Sequence, residues 1–77
     1  MKTNYKYINS FEKIEYPKTS IWECRTKRND VLGEVRWFGA WRQYCYFPSR
    51  DFHTTYSTGC LKDIADFIEQ LMAERKT

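Results

Sequence analysis

No run of this sequence approaches the eighteen apolar residues that a membrane-spanning helix needs, and its polar opening, MKTNYKYINS, lacks the apolar centre of a signal peptide. A soluble, cytoplasmic chain is expected. Glycine is scarce: Gly33, Gly39 and Gly59 are scattered, which leaves no glycine-rich phosphate loop. The cysteines, Cys24, Cys45 and Cys60, are odd in number and contain no C-x-x-C pair, the wrong arithmetic for a secreted disulfide framework. With His53 they stand 21, 15 and 7 residues apart, unlike the paired ligands of a structural zinc module, so no metal or cofactor is expected.

Aromatic side chains are what the sequence has in quantity. Seventy-seven residues make one domain, near the size at which a single hydrophobic core becomes marginal. Three Trp, six Tyr and five Phe offset that, since each buried ring removes roughly 150–250 Å² from water. The stretch VRWFGAWRQYCYFP, residues 35–48, alone carries two Trp, two Phe, two Tyr and two Arg. The net charge of +3 is mild and implies solubility rather than an obligatory polyanionic partner. It is concentrated mid-chain, where Lys18, Arg25, Lys27, Arg28, Arg36, Arg42 and Arg50 face only Glu23, Asp30 and Glu34.

Periodicity predicts an α+β fold: a three- to four-stranded antiparallel sheet with one C-terminal amphipathic helix packed on one face. Leu61, Ile64, Ala65, Ile68, Leu71 and Met72 form an i, i+3, i+4 stripe, which predicts a helix from about 59 to 74, capped by Ser57 or Thr58. Its acidic residues Asp63, Asp66 and Glu69 read as a solvated outer face. SIWECRTK, VLGEVRWF and WRQYCYFP read as strands joined at RND and GA, with FHTTYS as a short fourth strand after Pro48. Residues 1–16 read two ways, since Ile8, Phe11 and Ile14 have helical spacing while Tyr5 and Tyr7 alternate as in a strand.

The register at Gly39 and Ala40 decides which side chains face the helix. A three-residue loop puts Val35, Trp37, Trp41 and Cys45 in the core and turns Arg36, Arg42, Tyr44 and Tyr46 outward, with Arg25 on a neighbouring strand. A two-residue loop groups Val35 and Trp37 with Arg42, Tyr44 and Tyr46. The first is preferred because it leaves no unpaired arginine against the helix, which would cost several kcal/mol. In that register Arg25, Arg36 and Arg42 are candidate phosphate contacts, and Tyr44, Tyr46 and Phe38 are candidate stacking platforms. The plainer reading is that Arg and Tyr pairs cover the outer sheet face. Cys60, near the helix start, and His53 are the one nucleophile and base pairing in reach, but no third group orients them and Cys60 borders the apolar stripe. The chain therefore reads as non-enzymatic.

Taken together, RWFGAWRQYCYFP and TTYSTGCLKDIADFIEQLM resemble a family of short uncharacterised proteins of bacteria and their phages. Its members carry a W-[FY]-x-x-W-[RK]-Q-Y segment closing on Phe and Pro, then an aromatic step, then C-L and an amphipathic helix. The matching residues are Trp37, Phe38, Trp41, Arg42, Gln43, Tyr44, Phe47, Pro48, Tyr56, Cys60 and Leu61. The resemblance implies a phage-type protein working in a host cytoplasm, and brings no activity with it. In element order the chain is also similar to DNA-binding domains that lay a three-stranded sheet in the major groove and, if residues 1–16 are helical, to double-stranded RNA-binding domains. Three functions are thus expected, in this order: a binding protein for a nucleotide-type anion, such as a host signalling nucleotide; a sheet-based DNA or RNA binder; and an interaction or inhibitor module that docks a protein partner or a second copy of itself.

Overall fold

The computed structural model describes residues 2–16, 19–50 and 55–75, apart from the side chains of Tyr16 and Thr19. Four strands, β1 (Ser10–Tyr16), β2 (Thr19–Arg25), β3 (Val31–Phe38) and β4 (Gln43–Pro48), form an antiparallel sheet in the order β1-β2-β3-β4, followed by helix α1 (Thr58–Arg75). The α+β class is as the periodicity predicts. The helix starts where Ser57 Oγ accepts the backbone N–H of Cys60 at 3.2 Å, a side-chain cap on an otherwise unpaired donor.

One of the four strands, β1, comes from the N-terminal side. Residues 52–54 of FHTTYS, expected as a short strand, lie outside the described residues, and residues 55–57 form no strand. The N-terminal ambiguity resolves as β because Phe11 then faces the helix while Ile14 pairs with Ile21 on the other side. With no N-terminal helix among the described residues, the element order of double-stranded RNA-binding domains is absent. Ahead of β1, residues 2–8 run along α1. Asp63 Oδ2 accepts the N–H groups of Tyr7 at 3.0 Å and Ile8 at 3.1 Å, Tyr5 donates its hydroxyl to Asp66 at 2.7 Å, and Gln70 pairs with both backbone groups of Lys2. Asp63 and Asp66, expected to be merely solvated, clasp this segment to the helix.

Side chains alternate across the sheet. Phe11, Trp22, Cys24, Val35, Trp37, Tyr44 and Tyr46 face α1, and Ile8, Phe11, Cys24, Leu32, Val35, Ile64, Phe67 and Leu71 are the buried core. Glu12, Ile21, Glu23, Arg25, Glu34, Arg36, Phe38, Cys45 and Phe47 lie on the opposite face.

This corrects the preferred register. Phe38 pairs with Gln43, so the connection is a four-residue loop, 39–42, with the parity of the two-residue alternative. Trp41 N–H and Arg42 N–H bond back to the Phe38 and Gly39 carbonyls at 3.2 Å, and Arg42 takes a left-handed φ of 54°. Tyr44 and Tyr46 consequently turn toward the helix, Cys45 turns outward, and Trp41 leaves the expected core to stand 68% exposed in the loop. The buried arginine that argued against this parity never arises, because Arg42 sits in the loop and is exposed.

Gly33 is required by close approach rather than by its backbone angle. A Cβ there would stand 2.5 Å from the Phe47 carbonyl oxygen and 2.7 Å from the Tyr46 hydroxyl oxygen. Gly33→Ala is expected to destabilise the fold by about 1–3 kcal/mol, as overpacking of a tight core does. A urea midpoint unchanged by the substitution would show that β4 can move aside.

Candidate functional site

Helix α1 seats Phe67 on Phe11 and Trp22, and its last turns reach β3 and β4, where Met72 Sδ accepts the Tyr44 N–H at 3.5 Å and Arg75 lies over Trp37. What it leaves open is a pair of adjoining hollows, of about 430 and 270 Å³, that share Arg75. The larger is lined by Lys13, Ser20, Trp22, Tyr44, Leu71, Glu74 and Arg75, the smaller by Trp37, Arg42, Met72 and Arg75. Strand periodicity supplies the floor, because Lys13, Trp22, Trp37 and Tyr44 all point to the helix side. The end of α1 supplies the wall.

Cations lie over rings in this groove. The Arg75 guanidinium is 3.8 Å from the Trp37 ring centre, and Lys13 Nζ is 5.8 Å from that of Trp22. Indole faces attract cations most strongly, and the guanidinium also suits the negative end of the helix. Trp37 meets Tyr44 edge-to-face at 5.4 Å. Lys13 also contacts Glu15 at 3.3 Å, but side chains 43% and 76% exposed gain little from such a pair. Lys13, Arg42 and Arg75 thus converge on aromatic walls with Glu74 as the carboxylate among the lining residues.

The residues singled out in the sequence divide among three places. Tyr44 and Arg42 border the groove. Tyr46 is packed instead, its hydroxyl 2.7 Å from that of Tyr56, which donates to the Leu32 carbonyl at 3.5 Å. Burial, then the bond to Tyr56, pushes the Tyr46 hydroxyl pKa up. Arg25, Arg36 and Phe38 lie on the far face. Arg25 is held by Glu23 at 2.6 Å, Glu12 at 2.8 Å and Asn29 at 3.1 Å, and Arg36 by Glu34 at 2.9 Å while stacking 3.7 Å from the Phe47 ring centre. Both guanidinium groups are already engaged by carboxylates. The groove residues that the sequence reading passed over are Lys13, Trp22, Trp37 and Arg75. Trp37 was expected on the core side of the sheet, but nothing in the sequence announced the cations beside it.

Thiol chemistry finds no support in the geometry. Cys24 is fully buried, and burial pushes its pKa up to about 12 despite a bond from Tyr46. Cys45 is on the opposite sheet face, and Cys60 Sγ accepts the Ser57 hydroxyl at 3.3 Å. His53 lies outside the described residues, and among those described no three His, Cys, Asp or Glu gather as metal ligands.

Over 69 residues the chain is 32% identical to an uncharacterised 9.3 kDa protein of Acholeplasma phage L2, spanning 86% of each sequence. The two proteins belong to one family. The similarity that defines this phage family extends over most of both chains, which are of nearly equal length. No family model matches the sequence, and no solved structure matches it. Among the described residues of this phage-family member, no helix is long and apolar enough to cross a membrane.

Proposed function

We propose that this phage-family protein is a non-enzymatic binder of a nucleotide-type anion, held in the groove between the end of α1 and the sheet. The observation that carries this reading is the convergence of Lys13, Arg42 and Arg75 on Trp22, Trp37 and Tyr44. Fixed cations suit phosphate and indole faces suit a base, and the hollows fall within or near the 300–1,000 Å³ typical of small-ligand sites. A ligand base displaces the Arg75 guanidinium from Trp37 and frees it for phosphate. In a phage setting, the role is capture of a nucleotide signal in the host cytoplasm. The sheet-based nucleic-acid alternative is weaker, since Arg25 and Arg36 are matched by Glu12, Glu23 and Glu34.

The test is a thermal-shift screen against mono-, di- and cyclic nucleotides and short duplexes at low and moderate salt. A nucleotide at about 100 times its dissociation constant adds about 2.7 kcal/mol, more than ten degrees for a domain of this size. Arg75→Glu with Arg42→Glu is expected to abolish that shift. Arg36→Glu separates the two faces: the shift survives if the groove is the site and disappears if the outer face is. A duplex-only shift that collapses with salt would favour nucleic-acid binding, and no shift with any compound would refute the proposal.

A further inference from the structure

Strand β1 is an outer strand of the sheet, and only part of its free edge is covered. The Phe11 N–H points away from β2, to the Thr3 carbonyl at 2.9 Å, and the Asn9 carbonyl accepts the Tyr5 N–H at 3.3 Å. The N-terminal segment thus covers the edge at residues 9–11. Ahead of Thr3 the chain leaves the edge for α1, where Gln70 pairs with Lys2. Backbone groups alternate in direction along a strand, so the N–H and C=O of Lys13 and Glu15 point the same way as those of Phe11. Among the described residues no backbone group bonds to them. The open edge is residues 12–16, centred on Ile14.

We infer that a second copy of the chain pairs on this edge, β1 antiparallel to β1, about a two-fold axis that passes beside Ile14 and stands perpendicular to the sheet. In that register Lys13 lies opposite the partner's Glu15, and Glu15 opposite the partner's Lys13. Both are hydrogen-bonded positions, at which facing residues exchange their N–H and C=O bonds across the seam. Lys13 and Glu15 share the α1 side of the strand, with side chains 43% and 76% exposed, so each charge also meets its opposite there. On the outer face Ile14 meets the partner's Ile14 at the more closely spaced, non-hydrogen-bonded position. Ile14 already pairs with Ile21, and both are half-buried in the single chain, so a row of isoleucines runs from one copy into the other.

Charged side chains ordinarily guard a free edge against pairing. Here their order selects the register instead, because opposite charges two residues apart are self-complementary in an antiparallel pair centred between them. An axis beside Lys13 or beside Glu15 sets like charges face to face, and one beside Glu12 needs the Phe11 N–H that Thr3 already holds. Residues 12–16 span about 17 Å at about 3.4 Å each, a seam smaller than a standard interface, so the pair is weak and forms as concentration rises. A chain of 77 residues whose core is eight buried apolar side chains is also of the size that often relies on self-association. The pairing needs no ligand in the groove and stands apart from the function proposed above.

Sedimentation equilibrium of the full, ligand-free chain tests this, from low micromolar to near-millimolar concentration in reducing buffer of low salt, where exposed charges are least screened. The expected result is a mass that rises from monomer toward dimer. Lys13→Glu and Glu15→Lys each set like charges face to face across the seam and are each expected to raise the dimer dissociation constant at least about tenfold. An equimolar mixture of the two variants restores opposite charges across the seam and is expected to dimerise about as the parent does. Both variants lose the Lys13–Glu15 contact within the chain, so that contact cannot account for the rescue. The circular dichroism of each dilute variant stays that of the parent, because both side chains are exposed. Trp41→Ala, in the loop between β3 and β4, leaves the dimer intact. A monomer at every concentration overturns the inference. So does a dimer that both charge variants retain, a mixture no more dimeric than its components, or a dimer that Trp41→Ala dissociates.

Discussion

Phe67→Ala is expected to remove the cooperative thermal transition of this protein, or to bring it close to room temperature. Phe67 has no exposed surface, lies flat on Phe11 with ring centres 4.1 Å apart and planes 5° from parallel, and meets Trp22 edge-on at 5.1 Å. Truncating a buried Phe typically costs about 3–5 kcal/mol, and the lost ring pairs add about 0.5–1.5 kcal/mol each. Domain stability is about 0.05–0.15 kcal/mol per residue, so this chain has roughly 4–12 kcal/mol in all. One substitution therefore takes most of the lower end of that range. Phe67→Leu, which keeps much of the volume, is expected to cost only about 1–2 kcal/mol. A thermal melt followed by far-ultraviolet circular dichroism checks both. A parent-like melt for Phe67→Ala would mean that the helix is anchored elsewhere. The functional link is direct, because Phe67 holds α1 to the sheet and α1 carries Leu71, Met72 and Arg75 into the groove. A Phe67 variant will lose ligand through unfolding. Loss of binding bears on the groove only in variants whose melt is unchanged, such as those at the exposed Arg42 and Arg75.

How far the sequence led depended on how local the deciding interaction was. The helix was legible to within a residue at each end, because an apolar stripe, a Ser cap and a terminal Arg are all encoded within its own length. The strands around VLGEVRWF were legible from alternation. Residues 10–16 were not, since Phe11 and Ile14 suit either period, and their strand is settled by Phe67, more than fifty residues away. The β3–β4 register failed for a different reason. It turns on Arg42 adopting a positive φ, which residues other than glycine rarely do, and no feature of the sequence marked it. That parity relocated Tyr44 and Tyr46 and with them half of the expected site. Lys13 and Arg75 flank the groove from opposite ends of the chain, so no spacing rule brings them together. Asp63 and Asp66 were read as solvated because their partners are backbone and hydroxyl groups of the N-terminal segment, and a helix read in isolation shows neither.

Alkaline pH is expected to unfold the protein through Cys24. Its thiol is fully buried beneath α1, and burial, with smaller contributions from the charges of Cys60 and Asp63, moves its pKa from about 9 to about 12. Below pH 9 the thiol is protonated in both states and stability is complete. Between pH 9 and 12 the unfolded chain releases the proton while the folded chain retains it, so each pH unit costs about 1.4 kcal/mol. At pH 11 the loss from this group is about 2–3 kcal/mol, and Tyr46, whose folded-state pKa is likewise raised, adds about 1 kcal/mol once the pH exceeds about 10. Urea unfolding in reducing buffer from neutral pH to pH 11 measures the fall. Cys24→Ala is expected to be somewhat less stable than the parent at neutral pH, yet to lose stability less steeply above pH 9, so that the two curves converge. If they stay parallel, the thiol is not the group whose burial sets the alkaline limit. The same shift bears on chemistry: with a pKa near 12, roughly one Cys24 in 10⁵ is a thiolate at neutral pH, so the residue packs the core and offers no nucleophile there.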